Sequence, residues 1–118
     1  MKSIDWQAWP VLGRWGIAPE LPVLAGHFPG HPLVPGALLL SWLIDDVQRM
    51  NGARVASIRE ARFLGAASPG AMLESRFLTG AATSRFVILD ISSGQESPAQ
   101  GRLVASGTLV LASEEVLP

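Results

Sequence analysis

A histidine held in a stiff loop, directly ahead of an apolar segment, is the feature of this sequence that points to chemistry. The stretch AGHFPGHPLVPGALLLSW, residues 25–42, contains both histidines and three X-Pro bonds. Proline fixes its own φ angle and disfavours a helical conformation in the preceding residue, so no helix is expected before Pro35. The loop therefore holds His27 in one position, whereas His31 is interpreted as a polar loop residue.

A helix is predicted to begin abruptly after this loop and to cover residues 36–50. Pro35 suits the first helical position because its missing N–H needs no partner there, and Asn51-Gly52 is a typical end signal. The first turn of a helix has open N–H groups and the positive end of the dipole, and Gly36 lets an oxygen approach them closely. The helix start is therefore a candidate site for a ligand oxygen.

A fixed imidazole beside this helix terminus suits the removal of a proton next to a thioester carbonyl. The carbonyl oxygen would accept a hydrogen bond from the Gly36 N–H while His27 takes the acidified proton from the neighbouring carbon. A lone histidine near an apolar segment is more often structural. The proline and glycine frame favours the catalytic interpretation of His27.

The same residues carry a resemblance to a known family. The chain resembles the FabZ and FabA hot-dog 3-hydroxyacyl-carrier-protein dehydratases and is most similar to their ApeI-like branch. The resemblance covers about residues 17–50 and continues loosely toward residue 112. The matching segments are LPVLAG at 21–26, HFPGHP at 27–32, Pro35-Gly36, Ser41-Trp42, Arg62-Phe63-Leu64 and Pro69-Gly70.

The resemblance implies a hot-dog fold and a dimer with its active sites at the subunit interface, where we expect a narrow apolar tunnel. It also implies a substrate carried on the phosphopantetheine of an acyl carrier protein, and chemistry that needs no metal or redox cofactor. His27 corresponds to the family's catalytic histidine and Gly36 to its backbone donor. The positions expected to bind substrate are Phe28, Pro35, Ala37 and Leu38.

One position departs from the family pattern. The family's histidine works against a carboxylate fourteen residues downstream, supplied by the partner subunit, and this chain has Ser41 there. A serine can orient water or a substrate hydroxyl, but it cannot protonate a leaving hydroxyl at neutral pH as a carboxylic acid can. Asp45 lies one helical turn further along, about 6 Å away. It either acts through a bridging water or forms an i,i+4 pair with Arg49.

Three functions remain open. The first is dehydration of 3-hydroxyacyl thioesters on an acyl carrier protein, in lipid synthesis of the fatty-acid or aryl-polyene type. The second is hydrolysis of an acyl thioester, which the same fold supports. The third is a degenerate or half-active subunit that pairs with a second, non-identical hot-dog chain, whose carboxylate would face His27.

The rest of the sequence predicts the scaffold, a single α+β domain spanning residues 1–118. The predicted helix is apolar around most of its circumference, with one polar stripe of Ser41, Asp45, Gln48 and Arg49, so burial on most sides is expected. A short or edge strand is expected within 15–25, because prolines interrupt it. Four strands follow, at residues 54–64, 71–79, 85–92 and 102–112. This order predicts an antiparallel sheet wrapped around one central helix.

Composition excludes several classes of protein. The chain is 48% hydrophobic and 16% charged, which suggests an apolar surface covered by a partner subunit or an apolar ligand. It has no cysteine, which excludes disulfides, thiolate zinc sites and cysteine nucleophiles. Its net charge of −1 gives no reason to expect nucleic-acid binding.

Residues 21–44 contain no charged side chain, as in a membrane span, but four prolines interrupt them. The first nine residues lack the apolar core of a signal peptide. We therefore expect a soluble, cytoplasmic protein.

The early tryptophans, Trp6, Trp9 and Trp15, are expected to pack. A cluster of arginines either meets an acidic carrier protein or forms a solvated edge; its members are Arg49, Arg54, Arg59 and Arg62.

Overall fold

The computed structural model describes residues 6–18, 36–65, 67–68, 70–92 and 102–112. Within them, one α-helix, α1 (Gly36–Asn51), packs on a five-stranded antiparallel sheet, which confirms the expected α+β hot-dog architecture. A short 3₁₀ helix, Trp6–Ala8, precedes the first strand. The strands are β1 (Val11–Gly16), β2 (Val55–Phe63), β3 (Met72–Leu78), β4 (Ser84–Asp90) and β5 (Arg102–Leu111). No helix among these residues is both long and apolar enough to cross a membrane.

The strands are ordered β1-β3-β4-β5-β2, so β1 and β2 form the two edges of the sheet. The chain passes from β1 through α1 to β2 at the opposite edge, and β3, β4 and β5 then fill the space between them. Each neighbouring pair is antiparallel. The helix therefore lies across one face of the sheet, which we call the inner face; the opposite face is the outer face.

Local signals in the sequence set the bounds of the helix. It begins at Gly36, as predicted, and ends at Asn51, one residue later than predicted. Gly52 has a φ of 71°, the left-handed conformation that ends helices and that glycine adopts without a steric penalty.

The four strands predicted after the helix are all present, with ends shifted by a few residues. The predicted edge strand is displaced. It was expected within 15–25, whereas β1 starts at Val11 and overlaps that range only at its end. Prolines lack an N–H for a strand ladder, so the strand forms ahead of Pro19. Residues 19–25 lie outside the described part of the chain.

The main core lies between α1 and the inner face of the sheet. Leu39, Leu43 and Val47 are buried along one side of the helix. They pack with inward-facing residues of the central strands, namely Leu73, Phe77, Phe86, Ile88, Val104 and Leu109. Leu38, Leu40 and Trp42, at the flanks of this side, are partly buried and pack against the same core, so most of the helix surface is covered, as predicted. The opposite side carries the predicted polar stripe, in which Ser41, Asp45 and Arg49 are exposed.

A smaller cluster covers part of the outer face. Successive residues of a strand point to opposite faces, so Phe86 and Ile88 join the main core while Val87 and Leu89 point outward. Trp9, only 8% exposed, packs on these two outward residues. The expectation that Trp9 serves packing is confirmed.

An ion pair is buried beneath the same segment. Glu74 is fully buried and Arg76 is 6% exposed. The Nε groups of Arg76 and Arg14 donate to the two carboxylate oxygens of Glu74 at 2.9 and 2.8 Å. Arg76 also donates to the backbone carbonyls of Trp6 and Trp9, at 3.2 and 3.1 Å. It therefore fastens the N-terminal segment to the outer face of the sheet.

Candidate active site

The start of the helix lies against the end of β2. Gly36 is the first residue of α1, and a Cβ at this position would lie 2.8 Å from the ring of Phe63. Glycine therefore allows the helix terminus to approach the strand. Phe63 and the adjacent Leu64 are 49% and 56% exposed. The first turn of the helix therefore lies beside the apolar ring of Phe63.

Of the eight predicted catalytic and substrate-binding residues, three lie in the first turn of α1. Gly36 and Leu38 are half-buried, and Leu38 packs against the main core, whereas Ala37 is exposed. Three more of the eight, His27, Phe28 and Pro35, lie outside the described residues. The approach of His27 to Gly36 and the interface tunnel therefore stay predictions.

Ser41 points away from the sheet and is exposed in the single chain. Asp45 is exposed one turn further along the same side and accepts a hydrogen bond from Arg49 at 3.1 Å. This is the i,i+4 pair that the spacing predicts. The polar stripe of the helix therefore offers a hydroxyl at position 41 and an ion-paired carboxylate at position 45.

Asp46 points to a different side of α1 and is buried against β1. Its carboxylate accepts a hydrogen bond from the Trp15 indole N–H at 2.7 Å and another from Arg49. Trp15 and Trp42 pack edge to face, with ring centroids 5.8 Å apart. The close approach of β1 depends on glycine, because a Cβ at Gly13 would lie 2.7 Å from the Asp46 carboxylate.

Arg49 binds both helix carboxylates. Its hydrogen bond to Asp45, followed by the charges of Asp46 and Asp45, raises the pKa of the guanidinium. Arg49 is therefore a permanent cation, and each carboxylate already accepts a hydrogen bond from it. Within the described residues of the single chain, both of these carboxylates pair with Arg49, and a role for Asp45 in place of the missing acid at position 41 stays a prediction.

Two contacts near the helix were not predicted from the sequence. The first is the Asp46–Trp15 hydrogen bond, and the second is the packing of Phe63 over Gly36. Both join residues far apart in the chain, and neither has a local spacing signal. A faint indication is the segment Arg62-Phe63-Leu64, which already carries part of the family resemblance.

The architecture defines the class of protein, and solved structures share it. The dehydratase heterocomplex ApeI:P from Xenorhabdus doucetiae superposes with a TM-score of 0.68 at 21% identity, covering 85% of this chain and 84% of that one. An uncharacterized protein from Erwinia carotovora subsp. atroseptica gives 0.69 at 24% identity, covering 86% and 81%. A hexameric thioesterase from Yersinia pestis gives 0.64 at 11% identity, covering 94% and 95%. These likenesses identify a hot-dog fold.

The family follows from the sequence itself. The model of the ApeI-like family, described as ApeI dehydratase, matches residues 7–102. The chain therefore belongs to the ApeI-like dehydratase family, and the family supports a dehydratase-type function. No curated protein sequence matches it.

Proposed function

We propose that this protein dehydrates 3-hydroxyacyl thioesters carried on an acyl carrier protein. The family match over residues 7–102 carries the proposal. The start of the helix at Gly36, which lies against the partly exposed apolar ring of Phe63, supports it. The product would enter lipid synthesis of the fatty-acid or aryl-polyene type in the cytoplasm.

The reaction forms a carbon–carbon double bond and releases water. His27 takes the proton from the carbon next to the thioester carbonyl, and the Gly36 N–H donates to the carbonyl oxygen as negative charge develops there. The bond between the next carbon and its hydroxyl breaks. The hydroxyl leaves as water after receiving a proton from an acid. The substrate supplies every atom of the products, so the step needs no redox cofactor.

The source of that acid leads to a second candidate, in which an unlike hot-dog subunit supplies it. Ser41 occupies the acid position, and Arg49 already binds both helix carboxylates. Assembly with a chain that carries a carboxylate at the equivalent position would complete one site containing His27. The Xenorhabdus doucetiae protein is described as a dehydratase heterocomplex, which makes this arrangement a specific alternative to a homodimer.

The reaction class is tested with a 3-hydroxyacyl group loaded on an acyl carrier protein. Mass spectrometry of the carrier distinguishes the outcomes. Loss of one water from the intact thioester supports dehydration, whereas release of a free acid supports the thioesterase alternative. The matched control is His27→Ala, which we expect to abolish product formation.

The source of the acid is tested by comparing the isolated protein with its mixture with a second hot-dog chain from the same genome. Turnover that appears only in the mixture, and that His27→Ala in this chain abolishes, supports the unlike pair. Full activity of the isolated wild-type protein would exclude a required partner. Full activity of His27→Ala in both preparations would contradict the proposed chemistry itself.

A further inference from the structure

A pocket of about 140 Å³ opens on the outer face of the sheet, on the opposite side from α1. A cavity holds one water molecule when the volume that the centre of the molecule can occupy is about 10–15 Å³. This pocket therefore has room for a larger polar group. Side chains that line it belong to the N-terminal segment and to β2, β4 and β5, and they include Trp9, Glu60, Arg62, Arg85, Ser106 and Thr108.

Strand register places these side chains together. Thr108 of β5 lies between Glu60 of β2 and Arg85 of β4, and in the next row Ser106 lies between Arg62 and Val87. Directly opposed residues of antiparallel strands point to the same face. Because Val87 belongs to the outer-face cluster, both rows point outward. Two guanidinium groups therefore flank two hydroxyl groups on the same face.

Trp9 forms one wall of the pocket and positions Arg85. The Arg85 guanidinium carbon lies 5.7 Å from the centroid of the Trp9 ring, a distance typical of cation–π contacts. The backbone of Trp9 is in turn held by the buried Arg76, which donates to its carbonyl at 3.1 Å. Arg76 thus fixes the backbone of Trp9, and the Trp9 ring in turn positions the Arg85 guanidinium.

The charges of the pocket are not balanced. Arg62 is paired with Glu60, but no carboxylate within the described part of the chain pairs with Arg85. The pocket therefore has one excess positive charge. In the same part of the chain, the hydroxyls of Ser106 and Thr108 make no side-chain hydrogen bond. An unpaired guanidinium beside two available hydroxyl donors suits a ligand with negatively charged oxygens.

We propose that this pocket binds a small oxyanion, the phosphate or carboxylate group of a ligand. The planar guanidinium of Arg85 matches the paired oxygens of either group, and Ser106 and Thr108 donate to the same oxygens. Arg62 adds a second cation at the rim. The pocket lies across the sheet from the helix start, so the inference is independent of the proposed dehydratase function.

The test is a titration of the full chain with inorganic phosphate, and separately with acetate, at constant ionic strength. Amide and side-chain NMR shifts are followed. We expect saturable shifts at Arg85, Ser106 and Thr108, and tighter binding of one ion identifies phosphate or carboxylate as the preferred group. Arg85→Gln should weaken binding about tenfold or more, because a hydrogen bond to a charged group contributes about 1.5–3 kcal/mol.

Two further variants keep the test decisive. Arg54→Gln removes an exposed arginine outside this pocket and should leave the affinity unchanged. Thr108→Val is nearly isosteric and should weaken binding even if Arg85→Gln, which also loses the contact with Trp9, folds poorly. Shifts that rise linearly with both ions, or equal losses in Arg85→Gln and Arg54→Gln, would overturn the proposal.

Discussion

At the scale of single residues, the side chain at position 41 determines whether the chain can supply its own acid. Ser41 is exposed in the single chain, and aspartate is only slightly larger than serine. We expect Ser41→Asp to raise dehydration by the isolated protein, since a general acid typically contributes about 10²–10⁴-fold. The rate with a carrier-bound 3-hydroxyacyl substrate measures the gain.

The matched control for this prediction is Ser41→Asn, which has nearly the same shape as the aspartate variant but cannot donate an acidic proton. It should remain near the wild-type rate. An equal gain in the two variants would show that position 41 acts through shape and not through acid catalysis.

A second residue-scale prediction concerns the buried Glu74. Its carboxylate is the counter-charge of the nearly buried Arg76 and of Arg14. We expect Glu74→Gln to lower the free energy of unfolding by about 3–5 kcal/mol, because it removes the buried negative charge to which Arg76 and Arg14 donate. Urea denaturation measures the loss.

Glu60→Gln is the control, because Glu60 also pairs with an arginine but lies exposed on β2. Its effect should stay within about 0.5 kcal/mol, as for most surface substitutions. Equal losses at the two positions would contradict a special role for the buried pair.

At the scale of elements, β2 is the strand best suited to pair with a strand of a second subunit. It forms one edge of the sheet, and most of its residues are exposed, including Ile58 at 42% and Phe63 at 49%. An edge strand offers unpaired N–H and C=O groups to a second chain. Pairing of two β2 strands about a two-fold axis at Ala61 would place Glu60 of each chain opposite Arg62 of the other. Axes at Glu60 or Arg62 would instead oppose like charges, which is destabilising.

This register gives a test of assembly. We expect the isolated protein to dimerise through β2, and Arg62→Glu to weaken the dimer by placing two acidic side chains opposite each other. The double variant Glu60→Arg/Arg62→Glu should restore it. Sedimentation across a concentration series measures the equilibrium, with Arg54→Glu as the control outside the strand. An unchanged dimer in Arg62→Glu would exclude this pairing.

Elements with local signals could be predicted from the sequence, whereas contacts between elements could not. Pro35 and Gly52 mark the ends of α1 through their own backbone preferences, so its bounds and the position of Gly36 were predictable. The burial of Glu74 could not be predicted, because this burial depends on an N-terminal segment more than 60 residues away in the chain. The same holds for Asp46, whose partner Trp15 lies 31 residues earlier.

At the scale of the whole molecule, Asp90 contributes to the dependence of stability on acid. Burial tends to raise its pKa, but hydrogen bonds from the Ser92 side chain and backbone, and the guanidinium of Arg102, outweigh burial and lower the pKa below its ordinary value. The ionised carboxylate therefore stabilises the fold at pH values above the ordinary pKa of an aspartate carboxyl group. This stabilisation disappears as the pH falls through the lowered pKa.

We therefore expect Asp90→Asn to be less stable than the wild type at pH 7, with the difference shrinking in strong acid. Denaturant titrations at several pH values measure it. A gap between Asp90→Asn and the wild type that does not vary with pH would contradict this role.

The strand order also determines when the molecule can fold during its synthesis. β1 pairs with β3, and β2 pairs with β5. Both β1 and β2, and the helix α1 between them, are therefore synthesised before the strands with which β1 and β2 pair. A nascent chain that ends before β3 has two edge strands that do not pair with each other and no centre for a sheet. Among the strands that the structure describes, the hairpin of β3 and β4 is the first pair that can close. A ribosome-stalled chain ending before residue 72 should therefore remain protease-sensitive, and protection should begin once β4 has emerged.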